Sequence, residues 1–104
     1  MGIVEGKWIQ EKGQAFEGLW FEFKPDGTFE AEYKPMGIES GGTFQIDGKH
    51  IDIDQTLHTL GMVGFFKGVF KIKEGKLFMS LASAPGADRP EDLSEARIYF
   101  KVEN

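Results

Sequence analysis

Residues 19–34 read LWFEFKPDGTFEAEYK and contain two short runs in which apolar and charged side chains alternate. Successive side chains of an extended strand point to opposite faces, so this period of two gives each run one apolar face. Between the runs, Pro25-Asp26-Gly27 is typical of a tight turn, because proline fixes φ and glycine accepts a positive φ. The stretch therefore predicts a hairpin with one aromatic face.

The same alternation recurs along the chain, which contains ten phenylalanines among its 104 residues. Consecutive strands joined by short turns are expected to be antiparallel neighbours, and such strands close most economically into a barrel. We therefore expect a single domain, residues 1–104, with an all-β fold: one antiparallel up-and-down β-barrel of about eight strands and at most one or two short helical turns. The predicted strands are Ile3–Ile9, Leu19–Lys24, Thr28–Lys34, Gly42–Ile46, His50–Asp54, Phe65–Lys73, Lys76–Ala82 and Ala96–Val102.

Composition narrows the classes of function. The chain has no cysteine, which excludes disulfides, thiolate zinc sites and thiol catalysis. Its net charge of −5 and pI near 5.0 argue against nucleic acid and anionic membrane surfaces, both of which favour basic patches. The N-terminal residues lack the pattern of a signal peptide, and no window has the length of a membrane span. We expect a cytoplasmic protein with no nucleic-acid partner and no membrane insertion.

Two features resemble the lipocalin signature. Gly6-Lys7-Trp8 lies in the first predicted strand, and Arg97 lies at the start of the last one. In lipocalins a Gly-x-Trp tryptophan closes one barrel end, and a basic residue of the final strand covers its ring. The resemblance implies that Trp8 and Arg97 form this closure, in which a guanidinium stacks favourably on an indole.

A second set of motifs resembles a family of small calycin-type, lipocalin-like domains from bacteria and archaea whose role is uncharacterised. The motifs are GTFQIDG at 42–48, KGVFKI at 67–72, APG at 84–86 and Arg89-Pro90. The resemblance implies a barrel and carries no function by itself. For Arg89 we expect a structural role, tying its long loop to the barrel rim through carbonyl groups or a carboxylate.

The barrel interior is the first candidate site. An eight-stranded barrel has room for its own side chains or for one small ligand, so the inward aromatic residues form either a packed core or an apolar pocket. Tyr33 is the expected polar group, because a buried phenol needs a hydrogen-bond partner. The residues expected to line such a pocket are Phe21, Phe23, Phe29, Tyr33, Phe44, Phe70, Met79 and Phe100.

The second candidate is the apolar segment Gln55–Gly64, which we expect to be a loop between two strands. Loops are normally polar, so an apolar one is either a portal or interaction surface, or a plug tucked against the barrel. The residues that would form the portal or interaction surface are Leu57, His58, Leu60, Met62 and Phe65.

Other chemistry finds little support in the sequence. His50, Asp52 and Asp54 share a strand face, but side chains two apart on one strand diverge and make a poor metal site. No nucleophile–base pair or phosphate-binding loop is present, so we expect neither an enzyme nor a cofactor.

Two functions remain open. The first is a binding protein for a small hydrophobic molecule inside or at the mouth of the barrel. The alternative is a ligand-free structural or interaction module with a packed core, which forms a homodimer through Leu57–Phe65.

Overall fold

Eight antiparallel strands follow one another around a closed barrel in the computed structural model, which describes residues 4–102. Each strand pairs with the next, and β1 pairs with β8, so the predicted up-and-down barrel is confirmed. A single 3-10 turn, Lys34–Met36, joins the third strand to the fourth. The strands are β1 (Gly6–Gln10), β2 (Trp20–Phe23), β3 (Thr28–Tyr33), β4 (Ile38–Asp47), β5 (His50–His58), β6 (Gly64–Lys73), β7 (Lys76–Leu81) and β8 (Arg97–Val102).

The two ends of the barrel differ in their connections. At one end, the turn end, short hairpin turns at 24–27, 48–49 and 74–75 join the strands. At the other end, the mouth, the connections are 11–19, 34–37, 59–63 and 82–96. Because the tight turns all lie at one end, every long segment of the chain is available to shape the mouth.

Two strands are longer than predicted. Strand β4 begins at Ile38 instead of Gly42, and β5 continues to His58 instead of ending at Asp54. The expectation of a loop over Gln55–Gly64 is therefore wrong for its first four residues, which belong to β5, and for Gly64, which begins β6. Pairing continues because the register shifts between Gly41 and Gly42, where a Cβ on Gly42 would overlap the carbonyl oxygen of Asp54. The predicted start of the first strand, Ile3, lies outside the described residues.

The barrel interior is a packed aromatic core. Phe23 stacks on Phe21 with ring centroids 5.8 Å apart, and its ring meets Phe44 edge-on at 4.9 Å. Such offset and edge-on contacts add to the stabilisation gained by removing large apolar rings from water. The buried core residues are Val4, Trp8, Phe21, Phe23, Phe29, Ala31, Ile51, Ile53, Phe66, Phe70, Leu77, Met79 and Tyr99.

The predicted inward face of the last strand is wrong. Phe100 was expected to face the interior, but it lies on the outside with 42% of its surface exposed, whereas Tyr99 is only 3% exposed. The register explains the difference, because Tyr99 pairs with the buried residues Gln10 and Leu77. Phe100 pairs instead with Ile9 and Lys76, whose side chains share the outer face of the sheet.

Two phenylalanine-to-alanine substitutions test this placement. Phe23→Ala should lower the free energy of unfolding by about 3–5 kcal/mol, because it opens a cavity in the packed core. Phe100→Ala should cost much less, since the side chain already contacts water. Urea denaturation of both variants measures the difference, and an equal or larger loss for Phe100→Ala would place Phe100 inside the barrel.

Candidate functional site

The turn end of the barrel is closed by Trp8. This indole is 2% exposed, and its Nε1 donates a hydrogen bond to the carbonyl oxygen of Val4 at 2.9 Å. The ammonium nitrogen of Lys101 lies 5.6 Å from the indole centroid, within the range of a cation–π contact. The absence of a side chain at Gly6 leaves room for Lys101, because a Cβ at this residue would lie only 2.8 Å from Lys101 Cε.

The basic residue over Trp8 is thus Lys101, and the expectation for Arg97 is wrong. Strand β8 runs from the mouth to the turn end, so its first residue, Arg97, lies at the opposite end from Trp8. The guanidinium of Arg97 lies 5.6 Å from the ring centroid of Phe16 in the 11–19 connection. Arg97 therefore belongs to the mouth, where it faces a second aromatic ring.

A cavity of about 680 Å³ opens at the mouth, between the ends of β7 and β8 and the 82–96 connection that joins them. Its inner part is formed by side chains of the barrel interior. The 11–19 connection forms one wall and the 82–96 connection the other. The residues that line it include Gln10, Phe16, Leu19, Phe21, Met79, Leu81, Asp88, Glu91, Asp92, Glu95, Arg97 and Tyr99.

The cavity exists because β7 continues past the start of β8. Met79 is the last residue of β7 that pairs with β8, where it lies opposite Arg97. Leu81 lies two residues further along β7, beyond that pairing. The chain between Leu81 and Arg97 arches away instead of continuing the sheet, which leaves a concave space above Met79.

Two buried polar side chains meet at the inner end of this cavity. Gln10 is 1% exposed; its Nε2 donates to the Tyr99 hydroxyl at 3.2 Å, and its Oε1 accepts from the backbone N–H of Phe16 at 2.7 Å. Gln10 thus holds the 11–19 connection against the barrel. A hydroxyl that accepts one hydrogen bond retains its own proton for a further acceptor, so Tyr99 can donate to a ligand.

Burial raises the pKa of Tyr99 to about 12, although the hydrogen bond from Gln10 and the charge of Arg97 act in the opposite direction. A phenol in this environment is neutral at physiological pH, because its charged form would lose hydration. The inner end of the cavity therefore presents a neutral hydrogen-bond donor next to apolar side chains.

Arg89 anchors the 82–96 connection, as predicted. Its Nη1 donates to the carbonyl oxygen of Gly68 at 2.9 Å and lies 2.7 Å from Asp52 Oδ1. The contact with Asp52 is ionic, since this buried oxygen accepts no hydrogen bond from the described residues. Arg89 fixes one side of the connection to β5 and β6, and thereby holds the outer wall of the cavity in place.

The residues predicted to line a pocket separate into four groups. Phe21 and Met79 line the mouth cavity. Tyr33 is half-buried and meets Phe16 edge-on with ring centroids 5.7 Å apart. Phe100 faces outward, as described above. The others belong to or pack against the aromatic core: Phe23, Phe29, Phe44 and Phe70.

Four of the five predicted portal residues, together with Val63, form an exposed group at the mouth, which we call the apolar strip: Leu57, Leu60, Met62, Val63 and Phe65. Leu57 and Leu60 are 62% and 68% exposed, so the alternative of a buried plug is wrong. His58 is half-buried, and its Nδ1 accepts a hydrogen bond from the backbone N–H of Leu60 at 3.0 Å. The N–H of Gly86 donates to the carbonyl of Phe65 at 2.9 Å, which places the strip beside the 82–96 connection.

Sequence reasoning missed Gln10 and Tyr99, the hydrogen-bonded pair at the inner end of the cavity. Gln10 follows the last residue of the first predicted strand, and Tyr99 was assigned to the outer face of the last one. The only available signal was that Tyr99 alternates with Arg97 and Lys101. Those charged neighbours favour an outward face, so the signal points the wrong way.

The described residues, 4–102, hold no group of three or more histidine, aspartate or glutamate side chains arranged to bind a metal.

No helix in the described part of the chain is long and apolar enough to cross a membrane.

These features define an eight-stranded up-and-down β-barrel with one closed end and a cavity at the other. Comparison of the chain with protein-family models, with curated proteins and with solved structures finds no match.

The shifted pKa of Tyr99 gives the barrel a dependence on alkaline pH. A folded-state pKa of about 12, against the ordinary 10.0, means that the folded protein holds this proton more tightly than the unfolded chain. The stabilisation is complete below pH 10 and is lost as the pH rises towards 12. The loss should amount to about 2–3 kcal/mol.

The measurement uses a Tyr33→Phe variant, in which Tyr99 is the remaining one of the two tyrosines. Phenolate absorbance should rise only near pH 12, and the free energy of unfolding measured in urea should be lower there than below pH 10. A phenolate that forms near pH 10 while the barrel stays intact would contradict the buried position of Tyr99.

Proposed function

We propose that this protein binds a small, mainly hydrophobic molecule at the mouth of its barrel. The observation that carries the proposal is the cavity of about 680 Å³ over Phe21, Met79 and the Gln10–Tyr99 pair. Ligand sites in proteins are typically concave, about 300–1,000 Å³ in volume, and apolar with a few oriented polar groups. The mouth cavity has this volume, and its inner part combines apolar side chains with the Gln10–Tyr99 pair.

The mouth is favoured over the deep interior because the interior is filled. Phe23, Phe29 and Ile53 are each 1% exposed, and the rings of Phe23 and Phe29 lie 6.4 Å apart. A ligand placed among them would have to displace well-packed side chains, which costs free energy. At the mouth a ligand would instead cover Phe16, Leu19 and Leu81, which line the cavity and are only partly buried.

Binding without catalysis is the simpler role for this cavity. At its inner end the buried residues Gln10 and Tyr99 form a neutral hydrogen-bonded pair and not an acid–base pair. We also propose a lipocalin-like kinship. It is supported by the closed barrel and by a basic residue of the last strand, Lys101, over the tryptophan of Gly6-Lys7-Trp8.

A second candidate function is self-association through the apolar strip. Its five large side chains are exposed within nine consecutive positions, 57–65, which contain no charged residue. Contiguous exposed apolar surface of this kind marks interaction sites in many proteins. A packed barrel that presents such a strip could serve as an interaction module without a ligand.

A matched pair of tryptophan substitutions tests the mouth site. Leu81 lines the cavity, whereas Ile72 lies near the turn end; both are partly buried against the core. We expect the neutral dye Nile red to bind the native protein saturably, with an affinity at least about tenfold weaker in Leu81→Trp, because the indole occupies ligand space. Ile72→Trp should bind as the native protein does.

Fluorescence titration measures the affinities, and circular dichroism verifies that both variants are folded. Equal weakening in the two variants would contradict a site at the mouth. An absence of saturable binding to the native protein, with a dimer in sedimentation equilibrium, would favour the second candidate.

A further inference from the structure

The charged side chains around the mouth cavity are mostly acidic. Asp88, Glu91, Asp92 and Glu95 line it from the 82–96 connection, and Arg97 lines it from β8. Four carboxylates against one guanidinium leave three negative charges in excess at the cavity. Lysines are absent from this lining, so the local excess of negative charge resembles that of the whole chain, whose net charge is −5.

Asp92 keeps its share of this negative charge through a local hydrogen bond. The backbone N–H of Ser94 donates to Asp92 Oδ1 at 3.0 Å, and this hydrogen bond lowers the pKa of Asp92. Arg97 faces the ring of Phe16, 5.6 Å from its centroid, where it takes part in a cation–π contact. A ligand entering the mouth therefore meets a region of negative potential before it reaches the apolar floor.

The inner part of the cavity favours apolar, uncharged ligand groups, unlike the acidic rim formed by the 82–96 connection. Phe16, Leu19 and Leu81 offer apolar contact area, and the neutral Tyr99 hydroxyl retains a proton to donate. A fatty-acid carboxylate could accept from Tyr99, but its charge would be carried past four like charges and stripped of water. An apolar molecule with a cationic group matches both regions, because its charge can remain at the hydrated rim.

We propose that the mouth cavity takes an apolar molecule carrying an amino or quaternary ammonium group, and discriminates against carboxylates of the same size. This inference rests on the proposed function and specifies its ligand class. The apolar part lies on Phe16, Leu19 and Leu81, and the cation lies among the carboxylates of the 82–96 connection.

Three probes of eight carbons each test the preference: octylamine, octanol and octanoate. Their head groups are cationic, neutral and anionic at pH 7, and the alkyl part of octanoate is one carbon shorter, which by itself weakens its binding about fourfold. Each is used to displace Nile red from the native protein below its critical micelle concentration. We expect octylamine to bind about twentyfold or more tightly than octanoate at low salt, with octanol between them. The difference should shrink at about 0.3 M salt, because exposed charges are then screened. A difference of about fourfold that salt leaves unchanged would come from the shorter chain alone and would contradict the preference.

A pair of double variants separates the effect of the carboxylates at the cavity from the effect of the protein's net charge. Glu91→Gln/Asp92→Asn removes two carboxylates from the cavity lining, whereas Asp47→Asn/Glu74→Gln removes two from the turn end. The first variant should lose most of the preference for octylamine over octanoate, and the second should keep it. Both variants change the net charge equally, so a common response would assign the preference to the whole molecule and overturn the proposal.

The remaining outcomes distinguish the inferred ligand class from the proposed binding function. Octanoate binding as tightly as octylamine, with octanol also bound, would overturn the inferred ligand class and leave the mouth site intact. Failure of Nile red and of all three probes to bind would overturn both the inferred class and the proposed function.

Discussion

The pairing of β1 with β8 is the interaction on which the rest of the structure depends. It joins residues as far apart in sequence as Gln10 and Tyr99 and turns an open sheet into a barrel without an edge strand. Residues of these two strands also form the closed turn end and part of the mouth. Trp8 opposite Lys101 closes the turn end, and Gln10 opposite Tyr99 forms the polar group at the mouth. One strand pairing therefore determines both the closed end and the candidate site.

The cavity forms because β7 and β8 do not end at the same level at the mouth. Strand β8 begins opposite Met79, so β7 extends past it and the 82–96 connection must arch over the gap. Gln10 fixes one wall through the N–H of Phe16, and Arg89 fixes the other through Gly68 and Asp52. Both walls are thus held by side chains whose partners belong to the barrel, which favours a cavity that exists before a ligand arrives.

The sequence predicted the barrel because its signal is local and repeated. Alternation in residues 19–34, and turn residues at each hairpin, identified eight strands without any knowledge of their partners. Extension of β4 and β5 was missed because Gly41 and Gly42 interrupt the alternation, although they are what allows β4 and β5 to stay paired through the bulge. Alternation predicts a strand correctly where the strand stays regular along its whole length.

The site was harder to predict because it depends on register between distant strands. The inward face of β8 reads Arg97, Tyr99 and Lys101, and only its middle residue lies in the core. The two charged residues reach the two barrel ends, where they cover Phe16 and Trp8. Alternation alone favours the opposite face, Ile98 and Phe100, and so hides Tyr99. Its hydrogen bond with Gln10 spans 89 residues and has no local signature.

We propose a barrel that is filled inside and binds its ligand at the mouth. Backbone amide NMR during titration with octanol tests this proposal, because every strand reports separately. The largest shift changes should occur at Gln10, Met79, Tyr99 and residues 87–95, with small changes at Phe29 and Ile53. Dominant changes at Phe29 and Ile53, or along the apolar strip, would contradict it.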